Sequence, residues 1–166
     1  MSTITFRLAA LGDTDTVLRI LNEAAEWLAV RGIAGWKAGQ WRRAKLEAAI
    51  GRGETYLALD ERAVVGTMCL QWGDDEMWPG ASDDAGYVHR LAVGRAAHGR
   101  GIGRTLLAFA ERTAREDGKR SLRLDCACAS AGLRAYYTAA GFSWRGDLEV
   151  RGATDTWCGS LFEKPL

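Results

Sequence analysis

His98-Gly99-Arg100-Gly101-Ile102-Gly103 is the stretch on which the fold of this chain turns. An apolar run, Tyr87 to Val93, leads into it as a strand. A helical pattern from about Gly101 to Asp117 leads out of it, with Ile102, Leu106, Phe109, Ala110 and Thr113 on its inner stripe and Gly118 as its stop. The first turn of a helix carries backbone N–H groups without intrahelical partners, and these with the helix dipole attract anions, commonly phosphate. Glycines there remove the Cβ atoms that keep a bulky diphosphate off the backbone. Arg95, Arg100 and Arg104 add positive charge around the same turn.

The spacing separates this turn from two better-known phosphate cradles. Gly94 to Gly99 has the glycine spacing of a P-loop, but Arg100-Gly101 stands where that loop needs Lys-Ser/Thr. Gly99, Gly101 and Gly103 are spaced G-x-G-x-G, and Arg104 occupies the place of the third glycine of a dinucleotide fingerprint.

Outward from the turn, the rest of the chain reads as a β-α-α-β-β-β-α-β-α-β-β order. Thr5 to Leu8 is a short first strand. Gly12-Asp13-Thr14-Asp15 caps a helix whose apolar residues Val17, Ile20, Leu21, Ala24, Ala25 and Leu28 recur at helical spacing, ending at Gly32. A second helix covers about Gln40 to Ile50. Thr55 to Leu59 and Ala63 to Trp72 form a hairpin across Asp60-Glu61-Arg62, followed by a polar loop from Gly73 to Asp84. Ser121 to Cys128 is a strand and Ala131 to Ala140 a helix closed by Gly141. Phe142 to Trp144, Leu148 to Val150 and Ser160 to Glu163 are the last extended pieces. Hairpins mixed with crossovers imply an α/β mixed sheet of six to seven strands with helices on both faces. At 166 residues, without repeats or a dividing linker, residues 1–166 are expected to be one domain.

Composition narrows the function. With 22 basic and 21 acidic residues, the chain has no basic excess for a nucleic-acid partner. No apolar run reaches the roughly 18 residues of a membrane span. Met1-Ser2-Thr3-Ile4-Thr5 has no signal-peptide character, so a cytoplasmic protein is expected. The cysteines are Cys69, Cys126, Cys128 and Cys158. Cys126 and Cys128 alternate with Leu122 and Leu124, which reads as one buried strand face of free thiols rather than a metal or redox pair. No metal is expected.

Further motifs flank the turn. Leu91-Ala92-Val93 precedes it, Leu106-Leu107 lies in the following helix, and Ala135-Tyr136-Tyr137-Thr138-Ala139-Ala140-Gly141-Phe142 closes the series. Together these resemble the GNAT superfamily of N-acetyltransferases over nearly the whole chain. That family has L-x-V at the end of its fourth strand, a Q/R-x-x-G-x-G/A turn, and a later Y-x-x-x-G-F segment. The resemblance implies a GNAT fold, mostly antiparallel, with acetyl-CoA as acyl donor. It implies donor contacts from Leu91, Ala92, Val93, His98, Gly99, Arg100, Gly101, Ile102, Gly103 and Arg104. His98 stands where the family has Gln or Arg. Ser130 stands where the family has a cofactor-contacting Asn, and can still donate and accept a hydrogen bond.

The resemblance further implies that the fourth strand bulges and splays from the fifth, that pantetheine fills the gap as an added strand would, and that a free N–H near Leu91 holds the oxyanion. Tyr137 matches the family's general acid, which protonates the departing thiolate. The amine arrives as ammonium, and Glu26, His89 and Asp125 are the candidate proton acceptors. Strand alternation would place Tyr87, His89, Leu91 and Val93 on one face.

Trp27, Trp36, Trp41, Trp72 and Trp78, with Asp74, Asp75, Glu76, Asp83 and Asp84, occupy the regions that form the family's acceptor pocket. Aromatic walls with carboxylates suit a cationic amine, so Glu26, Trp27, Trp36, His89 and Asp125 are the candidate acceptor-binding residues. The reading is a small-molecule acceptor, such as an amine-bearing antibiotic or metabolite, attacking directly in a ternary complex. A protein or peptide acceptor and a catalytically silent acyl-CoA sensor stand as alternatives. Homodimers are common in the family, and one is compatible with this sequence.

Overall fold

The computed structural model describes residues 3–152 and 155–166; Met1 and Ser2, part of the stretch read for a leader, lie outside them. Seven strands form one sheet: β1 (Ile4–Leu8), β2 (Thr55–Asp60), β3 (Ala63–Gln71), β4 (Ala85–Val93), β5 (Ser121–Ala127), β6 (Ser143–Arg151) and β7 (Thr156–Pro165). Their spatial order is β1-β2-β3-β4-β5-β7-β6, and only the β4–β5 pair is parallel. The parallel pair follows from its connection, which needs a helical crossover.

Helices α1 (Thr14–Val30) and α2 (Arg43–Gly51) cover one face of the sheet, where Val17, Ile20, Leu21 and Leu46 bury with Leu57 and Ala92. Helices α3 (Ile102–Glu116) and α4 (Ala131–Ala139) cover the other. There Leu106, Leu107 and Ala110 of α3 and Tyr137 of α4 pack on Met68, Leu70, Val88, Leu122, Leu124 and Phe162. The expected element order is therefore observed.

Three boundaries differ from the sequence reading for local reasons. Helix α2 begins at Arg43, not near Gln40, because Gln40 closes a turn on Lys37: its side-chain oxygen accepts the Lys37 N–H at 2.7 Å. The pieces at 142–144 and 148–150 are one strand, β6, which absorbs a register shift at Gly146. Cys128 is not on the buried strand face with Cys126. Strand β5 ends at Ala127, which lies opposite Gly159, so Cys128 emerges beside Cys158 and forms a disulfide with it. Cys69 and Cys126 are buried free thiols, as expected.

The disulfide closes a loop with a sequence separation of 30. By loop entropy, Cys158→Ser should lower the stability of the oxidised protein by about 3–4 kcal/mol. Denaturant unfolding without reductant measures this, and an unchanged midpoint would contradict it.

Candidate active site

The glycine turn has the geometry its sequence demands. His98 is extended, and Gly99 and Gly101 both adopt left-handed φ, 78° and 75°. Gly101 is the N-cap of α3, and the first backbone bond of the helix runs from Thr105 N–H to the Gly101 carbonyl at 3.1 Å. The N–H groups of Ile102, Gly103 and Arg104 precede that bond and carry no intrahelical partner. A Cβ added at Gly99 or Gly101 would meet no atom within 4 Å, so no protein group fills the space beside either glycine. The residues therefore fit a diphosphate.

Gly103 is small for another reason. A Cβ there would lie 2.6 Å from the Tyr136 hydroxyl. Gly103→Ala is expected to push Tyr136 aside, cost about 1–3 kcal/mol and weaken donor binding. A thermal melt and calorimetric titration with CoA measure both; unchanged values would mean that Tyr136 swings away freely.

Side chains around the turn are arranged differently from the sequence reading. Arg100 is not a free cation at the turn: it is tied to Asp60 at 2.7 Å, fastening the turn to the β2–β3 hairpin. Trp27 lies beside this turn. The Arg31 and Arg95 guanidinium groups lie 4.6 and 4.8 Å from its ring centre, and the His98 ring centre is 5.7 Å away. Glu26, on α1, is exposed and projects from the surface as a solvated charge. Arg104 sits 5.9 Å from the Tyr136 ring.

Between β4 and β5 the pairing runs from Ala85–Ser121 to Val88–Leu124 and then stops. Beyond Val88 the two strands part, while β5 stays paired with β7 as far as Ala127. The backbone edge of β4 from His89 to Val93 is thus left without its β5 partner, the kind of edge to which an extended ligand adds as a strand.

A bulge accompanies the parting. Thr67 pairs with Ala92 and Cys69 with His89, so three steps of β4 span two of β3. The extra residue is Arg90, whose φ is +51°. The bulge corrects the alternation read from sequence. Leu91 and Val93 pack with Val88 against α3, whereas Ala92 packs with α1 and α2. His89 therefore lies on the opposite face from Leu91 and Val93, not with them.

Tyr137 lies beside the gap. Its ring packs against Tyr136, Phe142 and Phe162, with centres 5.4, 6.1 and 6.0 Å away. Burial, reinforced by Cys126, Tyr136 and Asp125, pushes its phenol well above the usual range. It therefore remains a proton donor at neutral pH. Ser130 is buried at the N-cap of α4, where its oxygen accepts the Leu133 N–H over a long 3.4 Å. Its first task is thus to start the helix that carries Tyr137.

On the α1–α2 face, His89 Nε2 is 3.2 Å from Asp74 Oδ2, and His89 Nδ1 is 3.9 Å from Asp125 Oδ1. Asp74 is itself fixed by accepting the Met77 N–H at 3.1 Å. Burial would raise the Asp74 carboxyl, but hydrogen bonds from His89 and the Met77 backbone outweigh it and hold the group below its ordinary value. Asp125 goes the other way: burial raises it from 3.8 to about 6, against the opposing effect of His89. Asp125 can therefore take up or release a proton not far below neutral pH, beside the His89 ring. The ligating atoms of the three residues also lie within 4.8 Å of one another, close enough for a cation to bridge them.

Sequence reasoning named His89 and Asp125 but not Asp74 as their partner. Its position in an acidic loop was the one available signal, and four other carboxylates share that loop. Trp36 packs edge-to-face on Trp41, with 5.1 Å between ring centres.

A sequence profile described as "Acetyltransferase (GNAT) family" matches residues 19–142. The chain is 30% identical over 171 residues to the uncharacterized N-acetyltransferase YesJ of Bacillus subtilis (strain 168), covering 95% of this chain and 88% of that protein. Its fold is similar to that of a GNAT-family acetyltransferase from Listeria monocytogenes 4b F2365, with TM-score 0.80, 26% identity, and coverage of 98% of this chain and 95% of that one. The PaiA N-acetyltransferase from Thermoplasma acidophilum, solved in complex with coenzyme A, superposes with TM-score 0.76 at 19% identity, covering 99% of both chains. By the profile match over most of its length and by its similarity to YesJ, the chain belongs to the GNAT family of N-acetyltransferases, whose acyl donor is acetyl-CoA.

Proposed function

We propose that the protein transfers the acetyl group of acetyl-CoA to a primary amine of a small molecule, by direct attack in a ternary complex. The observation that carries this reading is the end of β4–β5 pairing at Val88–Leu124. The glycine turn and Tyr137 lie on the α3–α4 side of that parting, and Asp74, His89 and Asp125 on the α1–α2 side.

Acetyl-CoA supplies an activated acyl carbon. The open turn of residues 98–104 holds its diphosphate, and the unpaired edge of Leu91–Val93 aligns its pantetheine. A backbone N–H in that segment steadies the thioester oxygen as charge develops on it. His89, oriented by Asp74 and backed by Asp125, accepts the proton of the incoming ammonium. Tyr137 donates its phenolic proton to the departing thiolate, and the second proton, shed by the nitrogen as the amide forms, restores the phenol by way of solvent.

The catalytic set, built from half-buried Asp74, His89 and Asp125 and buried Tyr137, favours a small acceptor over a folded protein surface. No helix among the described residues is long and apolar enough to cross a membrane, and we infer a cytoplasmic site of action. Reducing conditions there would hold Cys128 and Cys158 largely as thiols.

Thiol release from acetyl-CoA across aminoglycosides, polyamines, amino acids and peptides tests the reading. Release with one small-molecule class supports it. Release with peptides alone assigns a peptide acceptor instead. Acetyl-CoA binding without release on any amine makes the protein a sensor.

A further inference from the structure

The bulge that moves His89 also positions Arg90, which lines a cleft of about 220 Å³ with Gln40, Trp41, Arg42, Lys45 and Leu46. Such a volume is below that of a drug-sized site and suits one end of a small molecule. Three of its lining side chains, Arg42, Lys45 and Arg90, are cationic, and none is acidic. Two of its donors are orphaned: Arg90 Nη1 and Trp41 Nε1 are buried without a hydrogen-bond partner. A buried donor left unpaired costs about 1–3 kcal/mol, and more when it is charged. Two such donors on residues that line one cleft mark the place of an absent acceptor.

No side chain nearby supplies it. Glu54 is the carboxylate whose charge interacts with Arg90, but its oxygens are held by Arg52 at 2.8 Å and by Gln71 at 2.8 Å. Among the described residues Arg90 has no ion pair. Its left-handed backbone is a sparsely populated conformation for a non-glycine residue, and such strain concentrates at ligand sites.

We propose that this cleft binds an anionic oxygen group of the acceptor, a carboxylate or a phosphonate, so that the substrate is a small amine that also bears an acid. The proposal rests on the acetyltransferase reading above and narrows its acceptor class. The chain position supports the pairing of functions. Arg90 follows His89 directly, so one bulge presents an anion reader beside the residue that receives the ammonium proton. The amine end meets Asp74, His89 and Asp125, and the acid end meets Arg90, Trp41 and Lys45.

The test compares matched amines: L-amino acids, their carboxamides and the corresponding 1-aminoalkylphosphonates, followed by thiol release. For the best side chain, the acid should exceed its carboxamide by about thirtyfold or more in kcat/KM, the value of a charge-assisted hydrogen bond. Trp41→Phe removes one N–H and should shrink that ratio about two- to tenfold. Arg90→Gln should abolish it. The order of carboxylate and phosphonate then identifies the head group.

A carboxamide that matches or beats both acids overturns the proposal. So does an acid preference unchanged in both variants. Calorimetric titration with the N-acetylated products, acid against carboxamide, keeps the two readings apart. Acid-selective product binding without turnover of any amine retains the cleft and overturns the transferase reading. Turnover without acid selectivity does the reverse.

Discussion

Tyr137→Phe is expected to lower kcat by about 10²–10⁴-fold, the usual contribution of a positioned general acid, while acetyl-CoA affinity changes by less than about threefold. The phenylalanine keeps the ring that packs on Tyr136, Phe142 and Phe162, so the fold should persist and only the donated proton is lost. Burial holds the wild-type phenol above its ordinary range. Deprotonation of Tyr137 should therefore not limit wild-type turnover up to about pH 9–10, where a free phenol begins to ionise. Single-turnover thiol release from pH 6 to 10, with CoA titration and a thermal melt of the variant, provides the check. A variant with full turnover would remove Tyr137 from the chemistry and leave it a packing residue.

His89→Gln is expected to lower kcat/KM near pH 7 by about 10²–10³-fold. The glutamine fills similar space and can still meet Asp74, but it cannot carry the ammonium proton away. The linked carboxylate supplies a readout that packing alone would not move. Asp125 is raised from 3.8 to about 6 in the folded protein, so between those values the native state binds more protons than the unfolded chain. Its contribution to stability is fully present below the lower value and is lost as pH rises through the higher one. His89 opposes this rise, so the loss should move to higher pH in the glutamine variant. In Asp125→Asn the loss should disappear, with stability at neutral pH increasing on the order of 2 kcal/mol. Urea unfolding from pH 4 to 8 follows these changes. Identical pH profiles in wild type and both variants would dissociate Asp125 from His89.

The donor side was legible because local spacing specifies it. A strand, glycines at 99, 101 and 103 and a helix can be read in one stretch, and Tyr137 follows from its distance to Gly141-Phe142. The acceptor side was only partly legible, because contacts between distant segments build it. Asp74 reaches His89 across a polar loop, and neither spacing nor periodicity distinguishes it from its acidic neighbours. The alternation argument for His89 failed for a definite reason. A bulge adds one residue to a strand and reverses the face of everything after it, and nothing in Tyr87 to Val93 signals that Arg90 takes a left-handed backbone. Trp27 and Trp36 show the same difficulty: their aromatic character was plain, but their positions depend on Arg31, Arg95 and Trp41. The disulfide likewise needed the β5–β7 register, which puts Ala127 opposite Gly159.

The single added residue in β4 has an evolutionary consequence. It divides one strand into two independent vocabularies, His89 and Arg90 on the side of α1 and α2, Leu91 and Val93 on the side of α3. Substitutions in the first pair can accumulate without disturbing the second. A lineage built on this strand can therefore change what it modifies while inheriting, untouched, the means of carrying what it delivers.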